Sequence, residues 1–148
     1  MVSEILQKYP RSKDYLLEIL HEVQNNNPIQ NISSENIVEI AKYLNVTHAQ
    51  VLGVIGYYSM LSNKARSKYL IRVCNSPICN MLGGEHTIEY LSRKLKVGLG
   101  ESTPDGLFTL EECECLGNCA AAPSIMLNDR LYGNLTAELV DRILDELK

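Results

Sequence analysis

All five cysteines of this 148-residue chain fall in its second half, at Cys74, Cys79, Cys113, Cys115 and Cys119. No other feature narrows the possibilities as far. A secreted disulfide scaffold spreads an even number of cysteines along its length. Five in one half point instead to metal or redox chemistry. The N-terminus, Met1-Val2-Ser3-Glu4, has neither the basic stretch nor the apolar stretch of a targeting signal, so a cytoplasmic protein is expected. Apolar residues make up 45% and charged residues 22%, which is a globular composition rather than a disordered one. Eighteen acids against 14 bases leave a net charge of −4 and no overall attraction to nucleic acid. No apolar run approaches the length of a membrane span. These observations argue against a transporter, a lipid-anchored protein of the usual signal types and a histone-like binder.

Two halves differ in their patterning. Residues 12–25, 34–44 and 48–62 read as helices, the first placing Tyr15, Leu16, Ile19, Leu20 and Val23 at helical spacing. Asn25-Asn26-Asn27-Pro28 ends that helix. Thr47-His48-Ala49-Gln50 fits a capping box at the start of the third. This third helix is apolar nearly all round, a pattern that calls for burial on every side. Two readings stand: it packs between the other helices and a second domain, or part of it faces a partner protein. The polar stretch 63–68 reads as a solvated hinge. Beyond it come a strand at Tyr69–Cys74, a helix opened by Gly83-Gly84 and running to about Leu95, and a Thr103-Pro104-Asp105-Gly106 turn. Strands follow at Leu107–Glu114, Ser124–Leu127 and Leu131–Tyr132, then a helix from Thr136. The expected fold class is α+β: a helical bundle over 1–65, then a small sheet covered by helices over 66–148.

Four cysteines form two spaced pairs, Cys74-x4-Cys79 and Cys115-x3-Cys119, with 35 residues between the pairs. Cys74 ends the first long strand, and Cys115 and Cys119 follow the second. If those strands are neighbours, their end loops converge and four thiolates surround one site. Such a set holds zinc or an iron–sulfur cluster. Structural zinc favours tight CxxC knuckles, which neither pair has. The wider loops suit a binuclear cluster with two thiolates per iron. Two ferric ions, two sulfides and four thiolates carry a formal charge of minus two, and one electron makes it minus three. Such a centre therefore tends to a low potential, with no open position for bond chemistry.

At these residues the chain resembles the thioredoxin-like [2Fe–2S] subunit of NADH dehydrogenases, the 24 kDa or E-type subunit family. The matching segments are Tyr69–Cys74 with Cys79, Thr103–Glu112, and Cys115-Leu116-Gly117-Asn118-Cys119 with Ala122-Pro123. In the first half they are Ile40–Leu44 and Tyr58-Ser59-Met60. The resemblance implies a helical N-terminal domain followed by a thioredoxin-like domain. It implies Cys74, Cys79, Cys115 and Cys119 as ligands of one [2Fe–2S] cluster. It further implies a flavoprotein partner that binds FMN and NAD(H), beside larger iron–sulfur or hydrogenase subunits. Such subunits occur in complex I, in NAD-linked and electron-bifurcating hydrogenases and in formate dehydrogenases. The chain is then an electron-transfer subunit of an oxidoreductase, without catalysis of its own, cytoplasmic or peripheral to a membrane complex. The alternative is a non-redox or zinc-binding adaptor that docks the flavoprotein. A thiol–disulfide oxidoreductase is disfavoured by the lack of CxxC. A solitary carrier would need no helical domain.

Cys113 departs from the family pattern, where the position is commonly apolar. It reads as a small buried hydrophobe in a strand; the sharper reading, a substitute ligand in place of Cys115, is disfavoured by the glycine-bearing loop. His21, His48 and His86 have no metal-like spacing. Glu111, Glu112 and Glu114 read as a solvated acidic edge. Pro123 precedes a strand, where thioredoxin folds often use a cis proline. Gly98-Leu99-Gly100 is half a nucleotide fingerprint and carries little weight.

Overall fold

A computed structural model describes residues 2–147 and divides the chain after Arg66 into two units, each with its own core. The first unit is helical: α1 (Val2–Leu6), α2 (Leu16–Asn25), α3 (Ser34–Leu44) and α4 (His48–Tyr57). Ser33 caps α3 by accepting from the Asn36 N–H, and Thr47 with Gln50 forms the reciprocal capping box of α4. A single 3-10 turn, Lys13–Tyr15, leads into α2 where the periodicity predicts helix from residue 12. The apolar stripes of the helices meet in a core around Ile19, Leu20, Ile32, Ile40 and Val51.

Two expectations for this half need correction. Helix α4 stops at Tyr57 rather than near residue 62, and it is not buried all round. Val51 and Ile55 are buried, whereas Leu52 and Tyr58 are exposed and Tyr57 keeps 82% of its surface. The segment after it is no solvated hinge throughout. Gln24 donates to the Met60 carbonyl and accepts from the Ser62 N–H, each at 2.8 Å. Arg66 is buried and donates to the carbonyls of Gln30 and Met60.

The second unit is built on a five-stranded sheet of order β2-β3-β1-β4-β5. Its strands are β1 (Tyr69–Cys74), β2 (Glu101–Ser102), β3 (Phe108–Cys113), β4 (Ile125–Leu127) and β5 (Arg130–Tyr132). β1 and β3 are parallel, and the other pairings are antiparallel. The parallel pair needs a crossover. It is supplied by α5 (Pro77–Met81) and α6 (Gly84–Leu95), with the Thr103–Gly106 turn just before β3. α6 packs on β1 and β3 and against α7 (Ala137–Asp145), which Thr136 caps. Between helices and sheet lies a core of Ile71, Leu91, Phe108, Leu110, Ile125 and Leu144. β1 is central and buried on both faces from Leu70 to Cys74. The sheet and helices have the expected α+β organisation.

Ile40 and Leu91 are both 0% exposed, one in each core. Truncating either to alanine removes apolar contacts and leaves a cavity. Ile40→Ala and Leu91→Ala should each cost about 2–5 kcal/mol, read from the midpoint of urea unfolding.

Candidate functional site

The register of the parallel pair sets Cys74 directly opposite Cys113, at the ends of β1 and β3. Both chain segments then leave the sheet at the same edge. On the β1 side, Ser76 precedes Pro77 at the first turn of α5, a position where the missing proline N–H costs nothing. Cys79 therefore lies in a short helix, not in the loop expected for it, and is buried. The Cys74 thiol hydrogen-bonds the Ser76 hydroxyl at 3.4 Å, and Cys74 and Cys79 are near enough to shift each other's acidity. On the β3 side, the strand ends at Cys113 and the chain turns through Cys115 to a 3-10 turn at Cys119–Ala121. The Cys115 and Cys119 sulfurs stand 3.6 Å apart. Cys115 is exposed and Cys119 half-buried.

The two pairs are near enough to influence each other. The backbone N–H of Leu116, between Cys115 and Cys119, favours the charged form of Cys74, and that of Ser124 favours the charged form of Cys79. Charge on Cys79 and Cys74 is felt at Cys119. Gly117, at φ +76°, turns its N–H onto the Cys115 sulfur at 3.4 Å. A side chain at that φ would be strained. The sequence pattern points to such glycine-loop donors; it does not mark Ser76, Asn118 or Ser124. Ser124 ties the Cys119 loop by donating to the Ala121 and Asn118 carbonyls, and it accepts from the Asn118 amide. Nothing in the spacing of these polar residues distinguishes them from ordinary loop residues.

The thiols differ in acidity for physical reasons. Burial pushes the Cys74 thiol up, but the Ser76 hydroxyl and the Leu116 and Ser76 N–H groups outweigh it and hold Cys74 below the usual thiol range. Burial and then the neighbouring Cys74 raise Cys79. The hydrogen bond with Cys115 and then burial raise Cys119. Cys113 is pushed up to about 12, chiefly by burial and then by the charge of Cys74. It thus stays a neutral thiol packed in the strand, as a small hydrophobe would be. Of the acidic edge, Glu112 accepts from Asn75, which in turn accepts from Asn80, while half-buried Glu111 lies 3.9 Å from Arg72. Of the histidines, His48 begins α4, and exposed His86 faces Glu89. The Ala122–Pro123 peptide is cis.

The donor set fits a binuclear cluster. Two thiolates on one tetrahedral metal lie roughly 3.8 Å apart, given metal–sulfur bonds of about 2.3 Å. The Cys115–Cys119 spacing is close to that. Among the described residues, no group of three or more His, Cys, Asp or Glu side chains is placed to hold a single metal ion. Gly84 packs closely on the helix that carries Cys79. A Cβ there would meet the Asn80 side chain and the Cys79 carbonyl, both at 2.9 Å.

The description "thioredoxin-like [2Fe–2S] ferredoxin" names the family model that matches residues 2–148. Among curated proteins, the chain is 32% identical over 145 residues to the NADP-reducing hydrogenase subunit HndA of Solidesulfovibrio fructosivorans, covering 98% of this chain and 84% of that one. It is 37% identical over 133 residues to NADH-quinone oxidoreductase subunit 2 of Thermus thermophilus, covering 88% and 72%. To a subunit of the NADH-quinone oxidoreductase of Mycobacterium tuberculosis it is 32% identical, covering 98% of this chain and 57% of the relative. A solved chain of an NAD+-reducing [NiFe]-hydrogenase shares the fold, with a TM-score of 0.75 at 17% identity, over 93% of this chain and 23% of that one.

Accessibility predicts an order of labelling in the metal-free protein. Iodoacetamide should modify Cys115 first and Cys119 next, with Cys74, Cys79 and Cys113 reacting only on unfolding, as read by peptide mass spectrometry. Early loss of Cys113 would contradict its packing. Gly84→Ala forces its Cβ onto the Cys79 backbone and should cost about 1–3 kcal/mol in urea unfolding.

Proposed function

The chain belongs to the thioredoxin-like [2Fe–2S] ferredoxin family, and on that premise we propose that Cys74, Cys79, Cys115 and Cys119 hold one [2Fe–2S] cluster through which it relays single electrons inside an NAD(H)-linked oxidoreductase. The observation that carries this reading is the pairing of the thiols. Cys74 with Cys79 supplies two donors on one side, and Cys115 with Cys119 supplies two on the other. When bound, a cluster of this type takes up and gives back one electron at a time. The chain's own residues do the rest. Four thiolates complete the metal coordination, so no position is left for substrate. The Gly117 N–H points at the Cys115 sulfur, and the N–H groups of Leu116 and Ser124 favour negative charge on Cys74 and Cys79. The Asn80-Asn75-Glu112 hydrogen bonds tie α5 to the end of β3 and keep the two cysteine-bearing segments together.

The partner is a flavoprotein that binds FMN and NAD(H), within an assembly of larger iron–sulfur or hydrogenase subunits. Support comes from relatives that are named as subunits of an NADP-reducing hydrogenase and of NADH-quinone oxidoreductases. The expected division into a helical domain over 1–65 and a cluster domain over 66–148 is supported by the two separate cores, with Arg66 falling in the helical unit. Among the described residues no helix is long and apolar enough to cross a membrane. By itself the chain should not oxidise NADH.

The test is iron and sulfide analysis with EPR, on protein purified anaerobically and reduced with dithionite. Two irons, two sulfides and the spectrum of a reduced binuclear centre support the reading. One zinc, or no metal after reconstitution, overturns it. Serine at any of Cys74, Cys79, Cys115 or Cys119 should lower the iron content severalfold, while Cys113→Ala should leave it within about 20% of wild type, a margin set by one thiol that stays neutral and packed. Loss of the centre in Cys113→Ala alone would move the ligand set.

A further inference from the structure

We propose that Arg72 sets the reduction potential of the centre held at the end of its own strand, its buried guanidinium favouring the electron-loaded state. The inference rests on the cluster assignment above and adds a residue that touches no metal. Arg72 is 5% exposed, on a strand buried on both faces. Its position is fixed by the register. Arg72 pairs with Glu111 and Cys74 with Cys113, so all four side chains share one face of the β1–β3 ladder. Arg72 is two residues from Cys74, about 6.6 Å along the strand.

The surrounding sequence makes this cation unusual. From Val73 to Ser92 and from Leu107 to Asp129 there is no Lys or Arg, while Glu85, Glu89, Glu111, Glu112, Glu114 and Asp129 all lie in these segments. Arg72 is thus the basic residue that adjoins the cysteine-bearing segments. The Glu111 carboxylate is 3.9 Å from Nε, and its side chain is 17% exposed against 6% for Arg72. Water therefore screens the negative end of the pair more than the positive end. A buried cation on a central strand is also a poor way to gain stability, since an apolar residue of similar size often serves as well or better.

The step concerned adds one electron, supplied by dithionite in the test. The formal charge of the centre goes from minus two to minus three, and no bond forms or breaks. A fixed cation in a low-dielectric site stabilises the reduced form more than the oxidised form.

The experiment is an EPR-monitored redox titration of the full chain, reconstituted anaerobically with iron and sulfide, for wild type, Arg72→Lys, Arg72→Met and Glu111→Gln. At a fixed potential, Arg72→Met should lower the reduced-to-oxidised ratio about tenfold, a shift of about 59 mV to lower potential for one electron. Arg72→Lys keeps the charge and should stay within about threefold of wild type, whereas Glu111→Gln should raise the ratio. Arg72→Met titrating like wild type would overturn the proposal. So would Arg72→Lys falling as far as Arg72→Met, because packing rather than charge would then be responsible. If Arg72→Met does not fold, Glu111→Gln decides: a ratio unchanged or lowered is a failure. A wild-type chain that takes up no cluster removes the cluster assignment itself, a result separate from any difference between variants.

Discussion

Parallel pairing of β1 with β3 is the constraint on which the rest of this site depends. In an antiparallel pair, the chain would leave the two strands at opposite edges of the sheet. In a parallel pair both ends emerge together, and the cost is a long crossover. Here the crossover is residues 75–107, and its first helix carries Cys79. The register then does quantitative work. With Cys74 opposite Cys113, the next residues of β3 bring Cys115 past the sheet edge, within reach of the segment that follows Cys74. A slip of one residue would send Cys74 to the opposite face of the sheet. The burial of β1 on both faces makes that slip expensive, because Ile71 and Val73 would leave the helix-covered core. Site geometry and core packing are thus one specification.

Much of this is legible in the amino-acid order alone. The strand at 69–74, the helix opened by Gly83-Gly84 and the turn at 103–106 each rest on a strong local signal, and each is present. The cysteine spacing predicts convergence conditional on neighbouring strands, and the strands are neighbours. What escapes is short or buried. Helix α5 has five residues, too few to show a helical period, so Cys79 reads as a loop residue. Strand β2 has two residues and exists only through its pairing with β3. The all-apolar pattern of α4 is a poor guide to burial, because it gives no direction. Only the stripe through Val51 and Ile55 meets the helical core.

The basic residues show the same blindness from the other side. Arg66 sits in a stretch of polar and basic residues that reads as solvated, yet its guanidinium fastens two carbonyls inside the helical unit. Arg72 sits in the middle of an apolar strand. Composition alone treats both as surface charges, because charged side chains are seldom buried. Which exceptions a fold makes depends on which strand becomes central, and that is decided by residues far away in sequence.

Charge is also divided unevenly between the two units. The residues up to Arg66 carry six basic and six acidic side chains, whereas those from Ser67 onward carry 8 and 12, so the whole net charge of −4 resides in the unit that bears the cysteines. A four-thiolate centre adds more negative charge there. Opposing this are oriented backbone dipoles from Leu116, Ser124 and Gly117 and one buried guanidinium. The acids lie mostly in water and are screened, whereas the Arg72 guanidinium is buried, where screening is weaker. On the proposed ligand set, the position of these charges therefore matters more to an added electron than their count.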